Sequence, residues 1–111
     1  MSYSQAIRVG DLIFTCGQLG ADPAGPPVDF VTQAETALRR LVGAVEAAGG
    51  SVETIVKVNG YLASMDDFPA YDAAYRVIIG VAPKPVRTTV QIGGFVAPLL
   101  VEVDAVAVVR E

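Results

Sequence analysis

The chain reads as an α+β protein with the element order ββαβαββ. Three observations predict it. Two apolar segments, 3–9 and 12–18, flank Gly10-Asp11, which has the chemistry of a tight hairpin turn. Two stretches carry apolar residues at helical spacing, one over 30–48 and one after Asp66-Asp67. Between and after them lie three runs read as strands, at 55–63, 87–93 and 99–109. Strand–helix–strand units cross over with a right hand, so both helices should lie on one face of a mixed sheet.

Each element has its own justification. In the second strand Leu12, Phe14 and Cys16 share one face, and Ile13, Thr15 and Gly17 share the other. Residues 21–28 hold three prolines and Gly25, which makes them a loop. Phe30, Ala34, Ala37, Leu38, Leu41, Val45 and Ala48 form the apolar stripe of the first helix. Asp29 suits its N-cap, and Thr32-Gln33-Ala34-Glu35 also fits a capping box one turn later. Gly49-Gly50 ends it. Asp66 or Asp67 caps the second helix, with Pro69 in its first turn and Phe68, Tyr71 and Tyr75 along its core stripe. Residues 80–85 form a breaker loop. The last strand is apolar on both sides, with Leu99, Val101, Val103, Ala105 and Val109 on one face and Leu100, Val106 and Val108 on the other. With both helices on one face, the other face is uncovered, and an apolar patch of that size predicts a homo-oligomer.

Bulk properties narrow the class. A length of 111 residues, 52% apolar and 18% charged, suits a single domain spanning 1–111. No uninterrupted apolar stretch is long enough to span a membrane. The N-terminus lacks a basic region followed by an apolar run, and a lone cysteine, Cys16, forms no internal disulfide. The expected location is therefore the cytoplasm. The formal charge is −4, and the 8 Lys and Arg are scattered. Nucleic-acid binding relies on phosphate neutralisation, so this balance argues against such a partner. The sequence has no histidine, which excludes Ser-His-Asp and Cys-His nucleophilic sites and zinc sites built on His and Cys. Neither a phosphate-cradling nor a dinucleotide-binding glycine motif is present, and no cofactor or metal is expected.

The candidates for chemistry are few. Arg87 stands in Lys84-Pro85-Val86-Arg87-Thr88-Thr89-Val90, where a proline-stiffened loop becomes a β-branched strand. Its planar fork of donors suits two-point contact with a carboxylate, although a lone arginine in such a place is more often an ordinary surface ion pair. Glu102 and Asp104 are two apart in a strand, so they share a face about 7 Å apart among apolar neighbours. Such carboxylates must be paired, protonated or at an interface. For Glu102, an ion pair across an oligomer seam and a carboxylate that orients a water stand as equal readings. Tyr3 by itself reads as packing, and Cys16 as a small core residue. Gly17-Gln18 end a strand, where backbone N–H groups could meet an anion.

Taken together the segments resemble the RidA family, also called the YjgF or "endoribonuclease L-PSP" family. Tyr3-Ser4-Gln5-Ala6 resembles its Gly-Pro-Tyr-Ser-Gln-Ala, and Phe14-Thr15-Cys16-Gly17-Gln18 its Ser-Gly-Gln strand. Asp66-Asp67-Phe68 matches its helix opening, and Pro85-Val86-Arg87-Thr88 resembles its Pro-Ala-Arg-Ser. Val101-Glu102-Val103-Asp104-Ala105-Val106-Ala107 resembles its Ile-Glu-Ile-Glu-Ala-Ile-Ala. The resemblance implies a chorismate-mutase-like fold and a homotrimer with clefts between subunits. It also implies hydrolytic deamination of 2-imino acids, formed from 2-aminoacrylate-type enamines, to 2-keto acids and ammonia. In that scheme Arg87 grips the substrate carboxylate and Glu102 positions the attacking water. Tyr3 and Cys16 line the pocket, the Gly17 backbone contacts the carboxylate, and the Thr89 carbonyl holds the departing nitrogen.

Several positions depart from the family pattern. Met1-Ser2 stand in place of Gly-Pro, Cys16 in place of the usual serine, and Thr89 in place of a frequent cysteine. Gly93-Gly94-Phe95-Val96 replaces a turn containing Leu-Pro. These bear on substrate identity more than on fold. Two other functions are compatible with the same chain. One is a non-catalytic trimeric module that binds small carboxylates or a protein partner. The other is RNA cleavage, a label attached to some relatives, against which the acidic balance and the lack of histidine argue.

Overall fold

The computed structural model describes residues 2–80, 83–96 and 98–110. Residues 81 and 82 of the expected 80–85 loop lie outside the described residues. The strands are β1 (Ala6–Val9), β2 (Leu12–Thr15), β3 (Gln18–Leu19), β4 (Ile55–Leu62), β5 (Val86–Gln91) and β6 (Val101–Val108). The helices are α1 (Phe30–Ala47) and α2 (Phe68–Ile78). The sheet runs β1-β2-β6-β4-β5, with β3 also pairing β6. β4 and β5 are parallel and the other pairs antiparallel, so the sheet is mixed. The fold is α+β, with both helices packed on one face, as expected. No helix among the described residues is long and apolar enough to cross a membrane.

The hairpin forms at the expected place. Val9 pairs Leu12, and Gly10 has φ +61° at the turn's first central position, which type II′ reserves for glycine. The first strand begins at Ala6, so Tyr3 to Gln5 precede the sheet instead of extending it. The second expected strand is broken in two. Phe14 pairs Val106 and Gln18 pairs Val103, so Thr15, Cys16 and Gly17 face only Asp104 and Ala105. That is a bulge of one residue. The Thr15 hydroxyl accepts the Ala105 N–H at 3.0 Å, taking the place of a ladder carbonyl. A threonine competing for a backbone donor is a local event that face alternation does not foresee.

α1 is capped by Asp29, whose carboxylate accepts the Thr32 N–H at 3.3 Å; the alternative box one turn later is not used. α2 starts differently from expectation. Neither Asp66 nor Asp67 caps it through a side chain. Ser64 accepts the Asp66 N–H and opens a single 3-10 turn over Met65–Asp67, which runs straight into α2.

Between helices and sheet lies one core. Ala34, Leu38, Leu41 and Val45 of α1 and Tyr71 of α2 meet Val58, Leu62, Val101 and Val103. Each fully buried leucine or valine there contributes about 2 kcal/mol of transfer free energy. Gln33 is fully buried in this core and was not foreseen. Its amide donates to the Val28 and Pro98 carbonyls at 2.9 and 3.0 Å and accepts the Leu100 N–H at 3.0 Å, tying α1 to the approach to β6. Among the described residues no helix covers the opposite face of the sheet. Ile7, Val9, Leu12 and Phe14 are exposed there, beside Val106 and Val108.

Candidate functional site

Strand register assigns the two charged candidates to opposite faces. Arg87 is in register with Val58, which is buried on the helix side. Glu102 is in register with Tyr61, on the open side. β4 separates their strands, so two strand spacings, about 10 Å, lie between the backbones before any side chain is counted. Within one chain, Arg87 and Glu102 do not meet.

Arg87 is held firmly. Its Nη1 donates to Asp72 Oδ1 at 2.7 Å. The guanidinium carbon lies 4.8 Å from the Tyr75 ring centroid and 5.3 Å from that of Phe68. Both aromatic residues belong to α2, and cation–π contact with two rings fixes the plane of the fork. Asp72 Oδ2 meets Arg76 Nε at 3.0 Å. The hydrogen bond from Arg87, helped by Arg76, holds the Asp72 carboxyl below the usual carboxylate range. The ordinary ion pair is thus present, and it leaves the remaining guanidinium donors unassigned. Asp72 escaped the sequence reading, although its spacing is legible. It lies four residues after Phe68 and four before Arg76, on the face of α2 that turns to β5.

On α2 and β5, the elements that carry this arginine and its rings, the hydroxyls of Tyr71, Tyr75 and Thr89 are buried without a hydrogen-bond partner among the described residues. Burial pushes both phenols up from their ordinary pKa. Tyr71 packs under β4 at Gly60, where a side-chain methyl would collide with its hydroxyl.

On the open face the two carboxylates of β6 differ. Asp104 accepts from the Asn59 amide and from the Tyr61 hydroxyl, each at 2.8 Å. Burial and that bond raise the Tyr61 phenol to about 12. Glu102 accepts no side-chain hydrogen bond and joins no ion pair among the described residues. Burial, then the charge of Asp104, pushes its carboxyl above the usual range. It lies against Gly17, where an added methyl would overlap its carboxylate. The bulge produces this approach, because it carries the Gly17 backbone over the Glu102 side chain.

Cys16 sits beside Gly17 and is half-buried. Its Sγ is 3.4 Å from Gln18 Nε2, 3.6 Å from the Gly17 carbonyl and 3.8 Å from Gln5 Oε1. Cys16, Gly17 and Glu102 therefore form one group. Arg87 and Thr89 form another on the edge strand. Tyr3 is 61% exposed and joins neither. Among the described residues no group of three or more His, Cys, Asp or Glu is arranged to hold a metal ion.

Known proteins resemble this chain over nearly its whole length. Residues 1–109 match the family model described as Endoribonuclease L-PSP. A RutC family protein of Pyrococcus horikoshii is 33% identical over 108 residues, covering 95% of this chain and 85% of its own. The 2-iminobutanoate/2-iminopropanoate deaminase of Escherichia coli is 31% identical over 112 residues, covering 97% of this chain and 88% of its own. The crystal structure of RidA from the Antarctic bacterium Psychrobacter superposes with a TM-score of 0.88 at 32% identity, covering 98% of this chain and 89% of that one. Sequence, fold and the ordered motifs agree, and the chain belongs to the RidA/YjgF, or Endoribonuclease L-PSP, family.

Proposed function

We propose that the protein hydrolyses 2-imino acids to 2-keto acids and ammonia in a cleft between copies of the chain. The observation that carries this reading is the state of Glu102. It is a partly buried carboxylate, pushed above its usual range by burial, with no hydrogen-bonding or ionic partner among the described residues, two residues from an Asp104 that has two. A carboxylate left without partners and lifted toward neutrality is suited to taking a proton from water and returning it.

The chemistry asks little else. A protonated imine carbon is already electrophilic. Arg87 holds the α-carboxylate with the donors that Asp72 does not use, and the two rings of α2 keep the fork in plane. Glu102 accepts a proton from the attacking water as the C–O bond forms and the C=N bond becomes single. The same proton then passes to the nitrogen, the C–N bond breaks as the carbinol oxygen forms the carbonyl, the hydroxyl proton passes to Glu102 and on to water, and 2-keto acid and ammonia leave. The Thr89 carbonyl holds the nitrogen, while Cys16 and the Gly17 backbone line the pocket with Tyr3. Positioning of this kind can supply about 7–11 kcal/mol of the barrier.

A site that uses both Arg87 and Glu102 requires a second copy, since one chain holds them on opposite faces of the sheet. A homotrimer joined through the open apolar face would bring the edge strand of one copy to the β6 face of the next. Light scattering should give a mass three times that of the 11.6 kDa chain. A monomer at micromolar concentration would end the proposal.

The activity is tested with 2-aminoacrylate generated freshly in the cuvette, following ammonia and keto acid together. Arg87→Ala should lose about hundredfold in kcat/KM, the scale of a lost carboxylate anchor. Release of ammonia at the wild-type rate by that variant would sink the assignment.

A further inference from the structure

Arg87 belongs to a larger cationic site. A cavity of about 590 Å³ opens beside it, between α2 and the segment leading into β5. The charged residues lining it are Arg76, Lys84, Arg87 and Asp72. Three cations face one carboxylate, a surplus of two positive charges. The chain carries only 8 Lys and Arg against 12 Asp and Glu, so three of its eight cations gather at one cavity.

Asp72 cannot neutralise the group. Its Oδ1 is engaged by Arg87 at 2.7 Å and its Oδ2 by Arg76 at 3.0 Å. Lys84 makes no ion pair with any described residue. Pro85 follows it directly and also lines the cavity, so the lysine approaches from a stiffened backbone. Neither Arg76 nor Lys84 has a part in binding a simple 2-keto or 2-imino monocarboxylate, whose single negative charge Arg87 already answers. A surplus of two charges matches a ligand with two.

We propose that this cavity selects 2-imino and 2-keto acids bearing a second carboxylate at the far end of the carbon chain. Arg87 holds the first carboxylate, and Lys84 with Arg76 holds the second. The inference rests on the reading of Arg87 as the clamp for the first carboxylate. It adds what that reading leaves open, namely the class of side chain the substrate carries. Arg76 and Lys84 are specificity-determining residues here, at the ligand's far end and away from the reacting carbon.

The test compares two ligands of equal chain length by calorimetry at physiological salt, where long-range attraction is screened. 2-Oxoglutarate has the second carboxylate and 2-oxopentanoate lacks it. Wild type should prefer 2-oxoglutarate by about tenfold or more, the scale of one charge-assisted contact. Lys84→Ala and Arg76→Ala should each drive the ratio of the two affinities toward one. Both positions are exposed, so the variants should fold. Arg39→Gln removes a cation from α1 that does not line the cavity, and it should keep the preference. Equal affinities in wild type, with both ligands lost in Arg87→Ala, would overturn the second-carboxylate site and leave the clamp standing. A preference that survives Lys84→Ala and Arg76→Ala would overturn it as well. Affinities unchanged by Arg87→Ala would remove the clamp and the inference together.

Discussion

The edge strand β5 and the inner strand β6 each present one charged side chain of interest, and the fold treats them in opposite ways. Arg87 on β5 is over-determined, with a carboxylate on one nitrogen and an aromatic ring on each of two neighbours along α2. Glu102 on β6 has burial and a like charge beside it, and no donor among the described residues. A cation that must seize a carboxylate from water gains from being oriented beforehand, because less freedom is lost on binding. A carboxylate that must exchange a proton with water gains from having no fixed partner, since a donor would lower its pKa and stabilise the charged form. The contrast between a fixed arginine and an unsatisfied glutamate divides binding from chemistry.

The strongest way to break that contrast is Glu102→Gln. It keeps the shape and removes the exchangeable proton, so kcat should fall by about a thousandfold, within the range of a lost acid–base group. The same change should stabilise the fold. Glu102 has its folded pKa raised above 4.5, so the native state binds the proton more tightly than the unfolded chain does. Stability therefore declines as pH rises from the unfolded value through the folded one. Glu102→Gln is free of that loss, and its melting temperature should exceed wild type at pH 7 and approach it at pH 4. An unaltered kcat would show that Glu102 is structural.

Next in size is Arg87→Lys, which separates charge from geometry. Lysine keeps the positive charge and the pairing with Asp72 but cannot present a fork. We expect a loss of about tenfold in kcat/KM, carried mostly by KM. Wild-type kinetics would mean that a point charge suffices, and the aromatic seating of Arg87 would then have no part in binding.

Much of this was legible in the sequence, and the parts that were not share a cause. The helices, the hairpin and the succession of elements along the chain follow from periodicity and glycine placement, and these are properties of short windows, whereas the strand order within the sheet is not. Arg87 and Glu102 were legible as a cation at a strand entrance and a carboxylate in an apolar strand. Their surroundings were not. The bulge at Thr15 depends on a hydroxyl meeting the N–H of Ala105, ninety positions along the chain. The tie between Asp72 and Arg87 joins a helix to an edge strand, and the buried Gln33 joins α1 to the approach to β6. Each needs the tertiary arrangement before it can be seen. The faces to which Arg87 and Glu102 belong also required the register of β4, which lies between them.

Gly17→Ala tests the glutamate's side of the contrast more gently. Gly17 does not need positive φ, so alanine suits its backbone, and the difficulty is steric. A methyl there would overlap the Glu102 carboxylate, which can swing away because it is the end of a flexible side chain. Stability should change by about 1 kcal/mol or less. Displacing the carboxylate should nonetheless lower kcat by about tenfold. A large drop in melting temperature with kcat intact would reverse the roles assigned to packing and chemistry at this contact.

The smallest expected effect lies on the arginine's side and is read by pH. The hydrogen bond from Arg87 holds the folded pKa of Asp72 below its ordinary 3.8. The unfolded chain then binds the proton more readily than the folded one, so the pair contributes stability that is fully present above about pH 4 and is lost as pH falls through the lower, folded value. Asp72→Asn keeps a hydrogen-bonding oxygen for Arg87 and removes the charge. Its melting temperature should lie slightly below wild type at pH 7, and the gap should close as the buffer is taken toward pH 3. Asp72 is partly open to solvent, which keeps the gap small. A gap that stays constant over that range would mean that the ion pair adds nothing by its charge. Arg87 would then be held in place by the rings of Phe68 and Tyr75 alone, and its orientation should survive in Asp72→Ala with carboxylate affinity undiminished.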